Sequence, residues 1–444
     1  MSVTTTAARD ITRPLSPSER WFWIIDQISP SNCSGRVWVR GRVTPEQLDR
    51  AAAAVVAEYP LLRVGVEHGA DFDPRFVPLP EPRIPLRRVS SDDPEAWQRE
   101  IDAEMREPFD SAMGMVRLVD VVHAADTAAE SHDLILTVSH VIADGRSLIS
   151  LLRKLIEYGS TGADPVVRAP IPPADDLIPT TARGAWRYLY TTLYDQVVAL
   201  VRRPRLLRGA SRVPLAERVT RVVHRRLDAE QLAALVTDCR AAGVTVHGAL
   251  AGAVALAIGK TVRPNGSGVT GIGSPVDFRP ALTPAPAADE LGIYAPVLAN
   301  FVRFGARASL WSAARSVNQQ LRRGVRQQRH LATVAGMRYG TPKSLETGWR
   351  FVELIDRRAP WNVSVTNLGR IDFPAQLGEW HLSNLSIAAG NSCVSALTVA
   401  VTTAHNEMHI EFCYVEGMLT PTGAEEFADR VLATLTDRTP PPAN

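Results

Sequence analysis

One short stretch of the sequence combines a histidine, an aspartate and a glycine at a spacing that could support proton transfer. It runs Ser139-His140-Val141-Ile142-Ala143-Asp144-Gly145. A neutral imidazole can take a proton from an attacking hydroxyl or amine, so His140 is a candidate general base. A single histidine is more often a hydrogen-bonded structural residue, and the spacing alone leaves both interpretations open.

The flanking residues indicate which elements carry this stretch. Leu134, Leu136 and Val138 alternate with their neighbours, which predicts a strand with at least one buried face. His140 continues the same series and should leave the strand pointing inward. After Gly145 the apolar residues recur at helical spacing, at Leu148, Ile149, Leu151, Leu152, Leu155 and Ile156. The motif is therefore predicted at a strand-to-helix junction.

Composition limits the class of protein. The chain has 444 residues, 45% hydrophobic and 22% charged, which is typical of a soluble globular protein with two domains or lobes. A net charge of +2 gives no reason to expect a nucleic-acid partner. The four cysteines are far apart, which disfavours a zinc site or a disulfide framework, at Cys33, Cys239, Cys393 and Cys413. No metal site is predicted.

Targeting signals are also not predicted. Residues 1–13 are polar and Thr-rich, unlike the apolar core of a secretion signal. No stretch approaches the roughly 18 apolar residues of a membrane span. Together with the cysteine pattern, this predicts a cytoplasmic protein with no transmembrane segment.

Two segments resemble each other and predict a repeated strand–helix plan. Thr44 and Asp228 are each followed three positions later by Gln, which is the capping-box arrangement at a helix start. The predicted helices run to about residues 59 and 240. Alternating strands over 37–43 and 219–227 come before them. Two similar lobes would explain the repeat, although capping boxes are common enough to recur by chance.

The predicted boundaries place an N-terminal lobe at 1–165, a connecting segment at 166–215 and a C-terminal lobe at 216–444. The connecting segment is rich in proline and contains one predicted helix over 184–201. Arginines follow this helix, and a second group ends a predicted helix over 312–329. The two groups are Arg202, Arg203, Arg205, Arg208 and Arg212, and Arg322, Arg323, Arg326 and Arg329. They form either a solvated surface or a docking site for an acidic carrier protein or a phosphate.

Five landmarks in fixed order suggest a family. They are Pro14-Leu15-Ser16-Pro17-Ser18-Glu19 with Trp21 and Trp23, Tyr59-Pro60-Leu61-Leu62-Arg63-Val64, Glu107-Pro108-Phe109-Asp110, Ser139 to Gly145, and Pro275-Val276-Asp277-Phe278-Arg279-Pro280. In this order they resemble the condensation-domain superfamily related to chloramphenicol acetyltransferase. The stretch Val365-Thr366-Asn367-Leu368-Gly369-Arg370-Ile371 is most similar to the stand-alone branch, which contains polyketide-associated acyltransferases and alcohol acetyltransferases.

The resemblance implies an α/β fold of two related lobes, each a mixed sheet flanked by helices, meeting at a central channel. His140 would act there as the general base. Asp144 would pair with Arg279 and fix the loop that carries His140, although an orienting role for Asp144 stays open. Gly145 is a candidate for an oxyanion contact or only a backbone requirement. Asn367 and Ser364 are candidates for the acceptor side. One departure is Ser139, which stands where the family has a first histidine.

The resulting prediction is an acyltransferase without a bound cofactor. It would move an acyl group from an acyl-coenzyme A or acyl-carrier-protein thioester to a hydroxyl or amine of a secondary metabolite or lipid. No cysteine or serine stands in a nucleophile motif, which favours direct attack. No carrier-protein, adenylation or thioesterase segment follows the lobes, so a discrete enzyme is expected, and the resemblance implies that it works as a monomer. Two alternatives remain: a free-standing condensation enzyme, and a non-catalytic protein that recruits a carrier.

Overall fold

The computed structural model describes residues 10–68, 73–207, 213–391 and 393–437. Within these ranges the strands are β1 (Arg13–Pro14), β2 (Asn32–Arg40), β3 (Val64–Glu67), β4 (Arg75–Pro78), β5 (Leu86–Ser90), β6 (Val116–His123), β7 (Ser131–Ser139), β8 (Thr220–Leu227), β9 (Gly268–Pro275), β10 (Val297–Phe304), β11 (Val363–Arg370), β12 (Gln376–Leu377), β13 (Trp380–Ala389), β14 (Leu397–Ala404) and β15 (Glu407–Val415).

The helices in the same ranges are α1 (Pro17–Asp26), α2 (Pro45–Glu58), α3 (Ala96–Arg106), α4 (Gly145–Thr161), α5 (Ala174–Leu177), α6 (Ala185–Arg202), α7 (Ala229–Ala241), α8 (Val246–Val262), α9 (Leu310–Arg326), α10 (Arg329–Gly340), α11 (Leu345–Arg358) and α12 (Pro421–Thr436). No single helix in the described part of the chain is long and apolar enough to cross a membrane. The pair α7 and α8, bent by 98° at its break, meets that test together by length and composition only.

Two six-stranded sheets organise the molecule into lobes. The first has the order β12-β13-β2-β7-β6-β5 and the second the order β10-β9-β11-β14-β15-β8. Each sheet contains both parallel and antiparallel neighbours, as in the pairs β5–β6 and β6–β7. The predicted mixed α/β fold with two lobes is confirmed.

The first sheet combines distant parts of the sequence. Strand β13 pairs antiparallel with β2, so that Leu382 lies opposite Val39 and Ile387 opposite Gly35. Residues 376–389 therefore belong to the sheet of the N-terminal lobe, although in the chain they lie between β11 and β14 of the second sheet. The predicted boundaries at 165 and 216 do not anticipate this pairing, and they stay a prediction.

The repeated strand–helix plan is present in both lobes. Thr44 caps α2 and Asp228 caps α7, and each cap bonds the backbone N–H of the Gln three residues on, whose side chain bonds back to the cap. Strands β2 and β8 come directly before these helices. The capping residues therefore mark true helix starts in both lobes.

One predicted helix divides in two. The stretch over 312–329 covers α9 from its third residue to its end and only the first residue of α10, because Gln328 adopts a left-handed backbone with φ of 55°. A left-handed residue cannot continue a right-handed helix. Arg329 therefore begins a new helix instead of ending the old one.

Candidate functional site

His140 follows the last residue of a buried central strand. Strand β7 lies between β2 and β6, and all nine of its residues are buried. The His140 side chain is partly buried and stacks on Phe22 of α1, with ring centroids 4.0 Å apart and planes 13° apart. Nδ1 of His140 is buried and makes no hydrogen bond of normal length and angle with a described residue. The imidazole is thus held between an aromatic ring and the protein interior.

Burial shifts the protonation of this imidazole. It lowers the pKa of His140 because the charged form loses hydration, while the carboxylate of Asp144 and backbone groups of His140 and Ala143 offset part of that effect. An unperturbed imidazole has a pKa of about 6.5. His140 is therefore mostly neutral at neutral pH, as a proton acceptor requires.

Ser139 is bound to a buried carboxylate. Its Oγ donates to Oδ2 of Asp26 at 3.2 Å and accepts from the backbone N–H of Val141 at 3.3 Å. Asp26, the last residue of α1, also accepts from the backbone and hydroxyl of Ser31 at 2.8 and 3.0 Å. Burial raises the pKa of Asp26, and these donors offset the rise in part. Ser139 thus ties the start of the His140 loop to α1.

Asp144 caps α4 and is directed away from the imidazole. Its Oδ1 accepts from the backbone N–H of Ser147 and from Nη2 of Arg279, both at 2.9 Å. Its Oδ2 accepts from the backbone N–H of Tyr294 at 3.0 Å. Within the described residues no hydrogen bond joins Asp144 to His140. Burial would raise the pKa of Asp144, but Arg279 and the Ser147 donors outweigh it and keep that pKa below its usual range.

Arg279 connects the two lobes at this point. It lies just after β9 of the second sheet and contacts Asp144, which precedes the helix that follows β7 of the first sheet. Its Nη2 also donates to Ser147 Oγ at 2.9 Å, and its Nη1 lies 3.2 Å from Asp277. The guanidinium stacks over the ring of Tyr294 at 4.0 Å. The pair is almost fully buried, with side-chain exposures of 6% and 3%.

Gly145 lies where the second lobe approaches the first turn of α4. A Cβ on this residue would lie 3.3 Å from Cδ2 of Leu368 and 3.5 Å from Cδ1 of Ile387. The next residue, Arg146, donates to the backbone carbonyl of Leu368 at 3.0 Å. Glycine therefore permits a close approach between α4 and β11.

The two acceptor-side candidates lie on β11. Asn367 precedes Leu368, is partly buried, and accepts through Oδ1 from the backbone N–H of Gly369 at 2.8 Å. Ser364 is buried, and its Oγ lies 3.3 Å from Oγ of Ser395. Asn367 is thus the nearer of the two in sequence to the residue that contacts Gly145. Their role toward a substrate stays a prediction.

Six of the nine arginines in the two candidate docking groups are exposed, whereas Arg329 is buried. Arg202, Arg203 and Arg205 lie at and beyond the end of α6, whereas Arg322, Arg323 and Arg326 lie on the last turns of α9. The guanidinium of Arg323 lies 5.9 Å from the ring of Tyr194, which belongs to α6. The structure therefore brings both groups to the neighbourhood of α6. Arg208 and Arg212, in the same predicted run, fall outside the described residues.

A small cleft with a cavity volume of about 30 Å³ lies behind the loop that holds Asp144. Its lining includes Gly292 and Tyr294, which bond to the backbone and carboxylate of Asp144, but not His140. Asp175 also lines it, and burial together with the charge of Glu19 raises the pKa of this carboxyl to about 6. The predicted channel at His140 is a different feature and stays a prediction.

Three functional neighbours were not predicted from the sequence. Phe22, Asp26 and the backbone of Tyr294 each contact the motif from a segment far away in the chain. The aromatic run at residues 21–23 belongs to a predicted landmark, but its contact with His140 has no local signal. Of the described residues, no group of three or more His, Cys, Asp or Glu side chains is arranged to hold a metal ion.

Comparison with known proteins gives the fold a family context. Residues 216–420 match the family model described as phthiocerol/phthiodiolone dimycocerosyl transferase C-terminus. The first condensation domain of the calcium-dependent antibiotic synthetase superposes with a TM-score of 0.73 over 98% of this chain and 97% of that one, at 16% identity. The chain has the condensation-domain fold. The fold and the match over 216–420 confirm the predicted resemblance to condensation-domain proteins and related transferases.

Two further relatives share this condensation-domain fold or part of its sequence. Polyketide synthase associated protein 5 from Mycobacterium tuberculosis superposes with a TM-score of 0.65 over 96% of this chain and 97% of that one, at 15% identity. The phosphinothricin tripeptide synthetase PhsB from Streptomyces viridochromogenes is 28% identical over 172 residues, which are 36% of this chain and 14% of that protein. The chain thus corresponds to a small part of that relative's length.

Proposed function

We propose that this protein is an acyltransferase that moves an acyl group from a coenzyme A or carrier-protein thioester to a hydroxyl or amine of a secondary metabolite or lipid. The condensation-domain fold and the match to a transferase family over 216–420 support acyl transfer in general. The observation that carries the proposal for this chain is the placement of His140. It follows a buried strand, its pKa is lowered, and the neighbouring Asp144 is engaged by Arg279 instead of by the imidazole.

The proposed reaction needs one base and no covalent enzyme intermediate. The neutral imidazole of His140 accepts the proton of the acceptor O–H or N–H as that atom attacks the thioester carbonyl carbon. The tetrahedral intermediate then collapses, the C–S bond breaks, and the imidazolium returns its proton to the departing thiolate. Such general acid–base assistance typically contributes about 10² to 10⁴ in rate.

The other site residues support this step in the proposal. Asp144 and Arg279 hold the loop that carries His140, because a buried ion pair with good hydrogen bonds resists displacement. Phe22 keeps the imidazole ring in one orientation by stacking. The backbone N–H of Gly145, at the start of α4, is the candidate donor to the oxyanion of the intermediate. Asn367 and Ser364 would contact the acceptor.

A free-standing condensation enzyme is the second candidate function. It is favoured by the superposition on the first condensation domain of the calcium-dependent antibiotic synthetase. Both candidates use the same base, and they differ in whether the acceptor is a free metabolite or lipid or a carrier-bound amine. The third alternative, a non-catalytic recruiter, has no need for a neutral, positioned His140.

The function is tested by offering the purified chain a panel of acyl-coenzyme A and acyl-carrier thioesters with pooled alcohols and amines. We expect thiol release that depends on the acceptor, because direct attack leaves the thioester intact when no acceptor is present. Mass spectrometry of the product then separates esters from amides. Absence of acceptor-dependent release across the panel, with a carrier protein still bound, would contradict the proposal and favour the recruiter.

A further inference from the structure

Helix α6 presents an apolar stripe to solvent. The exposed large apolar side chains on this helix are Trp186, Leu189, Tyr190, Leu193, Val197, Leu200 and Val201, and three of them, Trp186, Leu200 and Val201, are 81%, 73% and 76% exposed. At about 100° per residue these positions cover an arc of about 120° and run for about 24 Å along the helix. Contiguous apolar surfaces of several hundred Å² on a protein usually mark an interaction site.

The stripe faces away from the body of the protein. The opposite side of α6 is anchored, since Thr191 is the helix's buried residue and the ring of Tyr188 packs against Gly336 of α10. Asp195, on that same side, pairs with Arg329 at the start of α10. The apolar side chains therefore form a convex ridge and not the wall of a groove.

The surroundings of the ridge are strongly basic. The three helices α6, α9 and α10 contain a single acidic residue, Asp195, and this residue is already paired with Arg329. Their basic residues are Arg187, Arg202, Arg315, Arg322, Arg323, Arg326, Arg329 and Arg338, with Arg203 and Arg205 following α6. This concentration is unusual in a chain whose net charge is only +2.

We propose that the α6 ridge and the arginines beside it dock the protein on the surface of an anionic lipid bilayer. A helix with an apolar face rich in Trp, Tyr and Leu can enter the boundary between headgroups and acyl chains. Arginines next to it bind lipid phosphates, each strengthening attachment about fivefold. A fluid bilayer can accommodate a convex ridge, whereas a folded protein partner would need a matching groove.

The same features disfavour two other occupants. A second copy of this chain would bring one arginine-rich surface against another, because a two-fold interface pairs like with like. An acidic carrier protein would match the charge but would have to cover a protruding apolar ridge about 24 Å long. The inference goes beyond the proposed function, since none of these residues contacts His140.

The test measures cosedimentation of the full chain with vesicles of phosphatidylcholine alone and of equimolar phosphatidylcholine and phosphatidylglycerol. We expect binding to the anionic vesicles that weakens at high salt. Leu200→Ser with Val201→Ser should reduce binding about tenfold. Arg322→Glu with Arg326→Glu should reduce it at least tenfold and weaken its dependence on salt.

Matched controls use residues of similar exposure elsewhere. Val166→Ser with Val167→Ser changes two exposed apolar residues outside α6, and Arg240→Glu with Arg263→Glu changes two exposed arginines outside α6, α9 and α10. Both should bind like wild type. Thiol release with water-soluble substrates should be the same in the wild type, in Leu200→Ser with Val201→Ser and in Val166→Ser with Val167→Ser, which separates this inference from the proposed function.

Several outcomes would overturn the inference. One is a wild-type protein that stays in solution with both kinds of vesicle. A second is that the Leu200→Ser with Val201→Ser and Arg322→Glu with Arg326→Glu variants bind anionic vesicles as well as their control variants do. A third is dimerisation of the wild type that Leu200→Ser with Val201→Ser abolishes. A fourth is binding of a purified acyl carrier protein, lost in the same variants, without any vesicle binding.

Discussion

His140 owes its proposed role to its surroundings more than to its position in a motif. The ring is stacked on Phe22 and its Nδ1 is buried, so the charged form is disfavoured. The carboxylate of Asp144 offsets this only in part, because Arg279 neutralises it. A histidine in this environment stays a proton acceptor over a wider range of acidic pH than a free one.

The pH dependence of kcat/KM tests this environment. Because burial lowers the pKa of His140, the acidic limb should have its midpoint below about 6.5, and the activity should be flat through neutral pH. The measurement is a pH series of kcat/KM with a substrate that does not titrate in this range. A midpoint above that of a free imidazole would show that the carboxylate of Asp144 dominates.

The same shift affects stability in a defined direction. The unfolded chain binds a proton at His140 more readily than the folded one, so this contribution to folding is present above a pH of about 6.5 and is lost progressively as the pH falls from there through the lower pKa of the folded state. Stability and activity should therefore both decline on the acidic side.

Ser139 occupies the place where the family resemblance leads one to expect a histidine. Its hydroxyl bonds Asp26 and the backbone of Val141, so it has a structural role in this chain. These bonds support the interpretation that Ser139 holds the His140 loop in place, and they argue against the alternative that its presence marks a site that has lost its activity.

Ser139→Ala should cost about 1 to 2 kcal/mol of unfolding free energy, because the buried carboxylate of Asp26 loses one donor but keeps those from Ser31. Chemical denaturation measures the change, and kcat should fall by less than about tenfold. A loss of activity as large as that of a His140 variant, without loss of stability, would instead place Ser139 in the chemistry.

At the scale of elements, the N-terminus of α4 is the point where segments of both lobes are held together. Asp144 caps this helix, bonds the backbone at Tyr294, and pairs with Arg279 beyond β9. One carboxylate thus fixes three segments from both lobes. This arrangement explains why the His140 loop can be held without a hydrogen bond from Asp144 to the imidazole.

Asp144→Ala should lower the free energy of unfolding by about 3 to 5 kcal/mol, since Arg279 would be left buried without its main partner. Asp277→Ala is the matched control, because Asp277 also contacts Arg279 but is 30% exposed, and it should cost less than about 1 kcal/mol. Denaturant unfolding measures both. An unchanged stability with lost activity would favour the orienting role of Asp144.

Local signals made part of these elements predictable. The capping boxes at Thr44 and Asp228 act within one helical turn, and the alternation before His140 reflects one buried strand, so both were visible in the sequence. The break at Gln328 was missed because this residue is not a glycine, although it adopts a left-handed backbone. The bond from the backbone of Tyr294 to Asp144 spans 150 positions and has no sequence pattern.

On the scale of the whole molecule, the pairing of distant strands is the part of the fold that could not be predicted from the sequence. Strand β13 returns from the C-terminal half to pair with β2, and strand pairing between distant segments has no local signature. The order of the five landmarks did predict the two-lobed condensation-domain fold. That prediction came from the resemblance to a family of known fold and did not require any individual contact to be predicted. The lobes therefore interlock through β13 and through the Asp144–Arg279 pair, with His140 next to that pair.

The central claim, that His140 is the base for acyl transfer, is tested most directly by its removal. Wild-type protein and His140→Ala are compared in acceptor-dependent thiol release, with melting temperatures measured to show that both are folded. The proposed mechanism predicts that kcat/KM falls by about 10² to 10⁴ in the variant while the melting temperature stays close to that of the wild type. A folded His140→Ala protein that keeps a rate near that of the wild type would contradict it.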